Sequence, residues 1–272
     1  HLIFAYGDFY DIPEIKRSNQ IIPFHQPLTL KKAAIRYFGA KPVSRPNTNV
    51  KEKSSLNFPK SKLNFNDSKD RPNIIWITID CFRDKSLTPE ITPEIFEFTK
   101  KSQRFNNHYS GGNATRNGLF SMFYGLYSSY WNSILTENKS PLLMDRLKEL
   151  GYQFKILSST PLTFPEFRKT IFVNHNDDII DSYQGETYQK DIQATSDFFK
   201  FLDSKDPKKP FFSFLFLDGA HSRYSFAADS AKFHPYLKNI LYTNLTAQQK
   251  TVDLKNRYQN ALHQVDKTVG KV

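Results

Sequence analysis

The sequence predicts an α/β fold, a central and mainly parallel sheet flanked by helices. Three apolar runs of strand length carry that prediction: Ile74 to Ile79, Tyr152 to Ser158 and Phe211 to Leu217. Helical patterns lie between them, and strands alternating with helices build parallel sheets covered on both faces. The third observation is how the first run ends. Asp80 follows it directly, and ligands of open α/β sheets sit beyond the carboxyl ends of the strands.

Residues 1–70 differ in character from the rest of the chain. Pro13, Pro23 and Pro27 interrupt them, Leu28 to Phe38 is a short amphipathic stretch, and Lys41 to Asp70 is rich in Lys, Ser, Asn and Pro. Such composition reads as a linker or surface arm. The segment holds 12 basic and 6 acidic residues, so it supplies +6 of the net charge of +11. The expected division is a basic arm over 1–70 and a folded domain over 71–272. A basic arm binds an anionic surface or simply stays solvated, and both readings stand here. No nucleic-acid module is recognisable, and charge alone does not make one, so no nucleic-acid partner is expected.

The run Ile74-Ile75-Trp76-Ile77-Thr78-Ile79 is β-prone throughout and reads as a central strand buried on both faces. Asp80 at its end is either a metal-holding carboxylate or a turn residue. Thr92-Pro93-Glu94 opens a helix, with Thr as cap, Pro in the first turn and Glu at the positive end. Arg104 to Ser110 reads as strand or loop and runs into Gly111-Gly112-Asn113-Ala114-Thr115. Leu119, Phe120, Phe123 and Tyr124 then fall at helical spacing, closed by Gly125. That spacing puts Thr115 at or beside a helix N-terminus, where unpaired amides and the helix dipole favour an anion. The two glycines are expected to let a bulky anionic group approach the backbone. Ser140-Pro141 opens a helix stopped at Gly151, Ile192 to Leu202 is helical, and Thr246 to Gln249 is a capping box before a long last helix.

The hydrophobic fraction is 39 %, with 25 Phe and 14 Tyr, which excludes a disordered chain. The single cysteine, Cys81, excludes an intrachain disulfide, so burial must supply the stability. No apolar run approaches the roughly 20 residues a membrane-spanning helix needs. The chain starts at His1 and stops inside a helical pattern at Val272, so it is expected to be cut at both ends.

Five landmarks resemble the sulfatase/alkaline-phosphatase superfamily, in order. They are Arg71-Pro72-Asn73-Ile74 through Asp80; Thr92-Pro93-Glu94-Ile95 through Phe105 to Ser110; Tyr109 to Gly125; Lys209-Pro210-Phe211-Phe212 through His221; and Tyr258 through Asp266 to Gly270. The resemblance implies a site, with Asp80 and Thr115 as ligands of a divalent cation (Mn, Zn, Mg or Ca). It implies Thr115 as the nucleophile, with His221 and Asn113 touching the substrate and His108 and His234 as weaker candidates. Thr115 stands where sulfatases have the cysteine that becomes formylglycine, which implies loss of sulfatase chemistry in that form. Lipid-headgroup transferases of the superfamily carry Thr there. The plainer alternative is that Thr115 only caps a helix. Cys81 stands where sulfatases carry a second metal-binding Asp and reads as a structural or surface thiol. Asp84 is the one nearby carboxylate that could replace that Asp, and it is not assigned to the site. The family's remaining metal ligands lie on a later strand, beyond Val272, which makes this a C-terminally truncated domain.

A narrower resemblance is to the YejM (PbgA) family. His1 through Phe9-Tyr10 to Leu28-Thr29-Leu30-Lys31-Lys32 carries it, with Gly112-Asn113-Ala114-Thr115, Asn117-Gly118-Leu119-Phe120 and Ser128-Ser129-Tyr130. It implies a periplasmic domain anchored by upstream helices in a bacterial inner membrane. It further implies sensing of lipopolysaccharide, a degenerate active site, and a membrane-protein regulator of lipopolysaccharide synthesis as partner. Lys31, Lys32 and Arg36 would then meet lipid A or anionic phospholipid. The rival expectation is an active metal-dependent phosphatase, phosphotransferase or sulfate-ester hydrolase using Thr115.

Overall fold

A computed structural model describes residues 5–6, 39, 56–61, 63–64, 70–240 and 248–272. The chain divides into two compact units, His1–Lys53 and Ser54–Val272. The second carries the sheet, and Leu56 already packs against its core. Lys31, Lys32, Arg36 and Thr246 lie outside the described residues.

Four parallel strands form one sheet in the order β1-β4-β2-β3: β1 (Ile74–Ile79), β2 (Gln153–Ser158), β3 (Ile179–Ile180) and β4 (Phe211–Leu217). Ile77 pairs with Leu215, and Ile156 with Phe214. The strand buried at every position is β4, while among the described residues β1 is paired on one side only, with Ile75 44 % exposed. Expectation and structure differ here for a plain reason: an apolar run marks a strand with two apolar faces, but its neighbours depend on chain segments far away in sequence. The two-residue β3 had no legible pattern.

Side chains of β4 alternate between the two layers, as the two-residue period of a strand requires. Phe212, Phe214 and Phe216 enter one core beneath α2 (Thr115–Tyr124), α3 (Trp131–Glu137) and α4 (Leu142–Glu149). Phe211 and Leu215 meet Ala194 and Phe198 of α5 (Thr187–Ser204), and Leu217 meets Leu262 and Val265 of α6 (Gln248–Val269). In α2 the buried side is Leu119, Phe120, Phe123 and Tyr124, and Phe123 stacks on Trp76 at 4.7 Å. Gly125 ends α2 at φ +64°, a left-handed conformation in which a Cβ is strained.

The helix α1 (Pro93–Thr99) starts where its sequence predicts, with Pro in the first turn. Its cap is not Thr92, whose hydroxyl donates to the Ser86 carbonyl at 3.0 Å. The amides of Glu94 and Ile95 instead donate to the buried carboxylate of Asp266, at 3.0 and 2.9 Å. A carboxylate at the positive end of a helix serves as well as a cap hydroxyl, and it also ties α1 to α6.

Candidate functional site

Adjacent parallel strands end side by side, so the residues just past them share one rim of the sheet. Asp80 follows β1, Ser159 follows β2 and Asp218 follows β4. The Asp80 amide donates to the Leu217 carbonyl at 2.9 Å, extending the β1–β4 ladder by one rung. Its carboxylate is held twice: the Cys81 amide donates to Oδ1 at 2.8 Å, and the Thr115 hydroxyl donates to Oδ2 at 3.0 Å. Cys81 makes that turn at φ +60°, an uncommon conformation for a residue with a Cβ.

Thr115 is the first residue of α2, and Ala114 before it is extended. The Ala114 carbonyl takes the amides of Asn117 and Gly118, at 2.9 and 3.0 Å. The preceding loop is packed tightly on α2. A Cβ at Gly111 would collide with the Ser121 side chain, and one at Gly112 with Asn117. These glycines serve the loop-to-helix contact, where the sequence suggested room for a ligand.

Beyond β4, the Asp218 amide donates to Ser159 Oγ at 2.8 Å and to Asp191 Oδ1 at 3.0 Å, and the Gly219 amide donates to Asp191 Oδ2 at 3.0 Å. Asp191, on α5, is 1 % exposed. This buried carboxylate fixes the turn that delivers His221, whose own amide donates to the Asp218 carbonyl at 2.9 Å. A side chain at Gly219 would strike that carboxylate.

Carboxyl groups crowd this rim, and burial pushes two of them toward the neutral form. Burial, opposed by His221 and reinforced by Asp80 and Asp191, pushes Asp218 up to about 7. Burial also pushes Asp191 up to about 6, against hydrogen bonds that favour its charge. At Cys81 partial burial, then the charges of Asp80 and Asp218, push the thiol up to about 11. A carboxylate oxygen of Asp80, the Cys81 sulfur and a ring nitrogen of His221 lie within 4.8 Å of one another.

These groups open onto a cavity of about 1450 Å³ that Asn113 and His108 also line. The structure thus gathers Asp80, Thr115, Asn113 and His221 around one space. His234 is elsewhere, beside the Ala231 carbonyl, and Asp84 pairs with Arg104 at 2.9 Å. Sequence reasoning passed over Asp218 and Asp191. Asp218 ends an apolar strand just as Asp80 does, and Asp191 sits in the helical stripe of Ala194, Thr195 and Phe198, where a carboxylate is out of place. It also passed over Arg116, which pairs with Glu166 at 3.2 Å and lies over the Trp131 ring at 5.0 Å.

The comparisons with known proteins agree with this fold. The sulfatase family model matches residues 72–272. An uncharacterized protein of Haemophilus influenzae is 28 % identical over 177 residues, 63 % of this chain and 30 % of its own length. The inner membrane protein YejM of Salmonella typhimurium is 27 % identical over 180 residues, with the same coverage. The chain therefore spans about 30 % of the length of these curated relatives. A protein in the alkaline phosphatase superfamily from Vibrio parahaemolyticus superposes with a TM-score of 0.54 at 19 % identity, over 74 % of this chain and 51 % of that one. The C-terminal periplasmic domain of EcEptC from Escherichia coli gives 0.55 at 17 % identity, over 75 % and 58 %.

Proposed function

The chain belongs to the sulfatase family, and on that premise we propose that it is part of a periplasmic ectodomain of an inner-membrane protein that recognises phosphorylated lipid. The lipid is of the lipid A type, and its recognition regulates envelope lipid synthesis through a membrane-protein partner. The carrying observation is the double character of the cavity. Asp80, Thr115, Asn113 and His221 form its polar part; Phe82, Leu119, Met122, Leu126, Tyr127 and Tyr130 supply apolar wall. Leu119 and Met122 follow Thr115 along one face of α2. An amphiphile has the same division, with a phosphate for the helix start and imidazole and acyl chains for the aromatic wall. At about 1450 Å³ the space exceeds the usual small-ligand pocket of about 300–1,000 Å³. The name of the Salmonella relative and the periplasmic description of the EcEptC domain support the location. Among the described residues no helix is long and apolar enough to cross a membrane, so the anchor belongs to the proposal. Lys31, Lys32 and Arg36 fit it as contacts to the anionic leaflet, each contributing on the order of 1 kcal/mol.

The test is binding of the full-length protein to vesicles with and without lipid A. Vesicles containing lipid A are expected to bind, and neutral phosphatidylcholine vesicles are not. Tyr127 is 83 % exposed, so Tyr127→Glu leaves the fold intact and should weaken binding by about tenfold. Equal binding to both vesicle types would defeat the reading.

One observation favours a second reading, the hydrogen bond between Thr115 and Asp80. It suits a metal-dependent phosphatase, phosphotransferase or sulfate-ester hydrolase in which Thr115 is the nucleophile. The donor set fits a divalent cation: Asp80 and Thr115 would hold it through oxygen, with the Asp218 carboxyl close by. When bound, such a cation supplies Lewis-acid charge and makes a neighbouring hydroxyl more acidic. Asp80 orients the Thr115 hydroxyl, the start of α2 stabilises negative charge on the transferred group, and His221 contacts that group. Turnover of a phosphate ester by the full-length protein should then fall on the order of 1,000-fold in Thr115→Ala. No turnover with any of Mn, Zn, Mg or Ca would remove this reading and leave the first.

A further inference from the structure

We infer that Cys81 is a metal ligand, and that with Asp80 and His221 it makes a site selective for a thiophilic divalent cation of the zinc class. The inference rests on the cation site of the second reading above and goes beyond it: it adds Cys81 as a ligand, moves His221 from the transferred group to the metal, and names a selectivity. Three donors of different chemistry converge: a carboxylate oxygen, a sulfur and an imidazole nitrogen, all within 4.8 Å. With zinc bond lengths the edge of a tetrahedral site is roughly 3.5 Å, so closing the three onto one ion needs shifts of about 1 Å. Cys81 and His221 are both exposed, so side-chain rotation can supply that movement.

Two local details support the assignment. The first is the backbone of Cys81. Its φ of +60° is uncommon for a residue with a Cβ, and such conformations gather at functional sites. The second is the hydrogen bond that orients His221. Its Nδ1 lies 3.1 Å from the Ser222 carbonyl, a contact that Nδ1 makes by donating its proton. The lone pair is then on Nε2, and a backbone carbonyl behind a ligating imidazole is the usual outer support of a histidine–metal bond.

Ligand type decides the selectivity. Magnesium and calcium take oxygen donors in numbers of six or more, whereas a sulfur–nitrogen–oxygen set suits zinc. With the Thr115 hydroxyl of the second reading the three make a four-coordinate set, and zinc sites expand to five ligands when a substrate oxygen enters. A phosphate oxygen of a lipid headgroup or of a free phosphate ester would be that fifth ligand.

The test uses the full-length protein, stripped with chelator and titrated with zinc, magnesium and cobalt as the metals alone. Zinc should bind on the order of 100-fold more tightly than magnesium. Cobalt should show the near-ultraviolet thiolate-to-metal charge-transfer band. Cys81→Ser should abolish the band and weaken zinc on the order of 100-fold, with an unchanged far-ultraviolet dichroism spectrum. Cys81→Asp should lose the band and move the preference toward magnesium. A cation that binds with no thiolate band and equal affinity in Cys81→Ser would overturn the inference while leaving a cation-dependent site in place. No binding of any cation would overturn both.

Discussion

Phe214→Ala is expected to lower the unfolding free energy by about 3–5 kcal/mol. The side chain is fully buried in the middle of β4, the one strand buried along its whole length. Its ring meets those of Phe123 at 5.1 Å, Phe172 at 5.6 Å, Phe216 at 6.2 Å and Trp76 at 6.3 Å. These neighbours come from α2, β1, β4 and the segment after β2, so no single element can collapse into the space left behind. The loss adds an unrefilled cavity to the missing transfer free energy and takes a large part of the roughly 5–15 kcal/mol that stabilises a domain. Urea unfolding is the measurement, and the midpoint should fall with an unchanged m-value. Phe98→Ala is the control. That ring is 70 % exposed on α1 and should change stability by no more than about 0.5 kcal/mol. Equal effects of the two substitutions would contradict the packing described for β4.

The second large effect concerns pH. Burial raises the Asp191 carboxyl from 3.8 to about 6 in the fold. The folded protein therefore holds this proton more tightly than the unfolded chain does. The resulting stability is fully present below about pH 4 and is lost as pH rises through about 6. The shift corresponds to about 3 kcal/mol. Asp218, raised to about 7, acts in the same direction and extends the decline toward neutral pH. Urea midpoints measured from pH 4 to pH 8 should fall across this window in the parent protein. In Asp191→Asn the fall should be shallower, since the buried group no longer titrates. At low pH the two should be nearly equally stable, because the protonated carboxyl, like the amide, keeps one full acceptor for the Asp218 and Gly219 amides. An identical slope in the variant would show that Asp191 does not titrate in this window.

The same residue shows where sequence reading stops. Ile74 to Ile79 and Phe211 to Leu217 declare their strands through local pattern alone, and Asp80 its place at a strand end. Thr115 declares a helix start through the apolar spacing of the residues after it. Asp191 declares nothing comparable, because its partners are backbone amides beyond a strand that comes a whole helix later in the chain. The cap of α1 is hidden in the same way. Thr92 has the expected chemistry, yet Asp266 supplies the bonds from 172 residues away. Cys81 is a third case: its neighbours in sequence make it an ordinary thiol, and the cluster that gives it meaning needs His221 from the end of β4.

The sequence by itself determined the three long strands, most of the helices between them, their order, and the resemblance of residues 71–272 to sulfatases. Each of these depends on short-range periodicity or on residue identity at fixed spacing. Only the tertiary structure decided that β4 lies between β1 and β2, and that Asp80, Cys81, Thr115 and His221 share one space. Parallel pairing places strands far apart in sequence side by side, so the rim where their ends meet does not exist until the sheet forms.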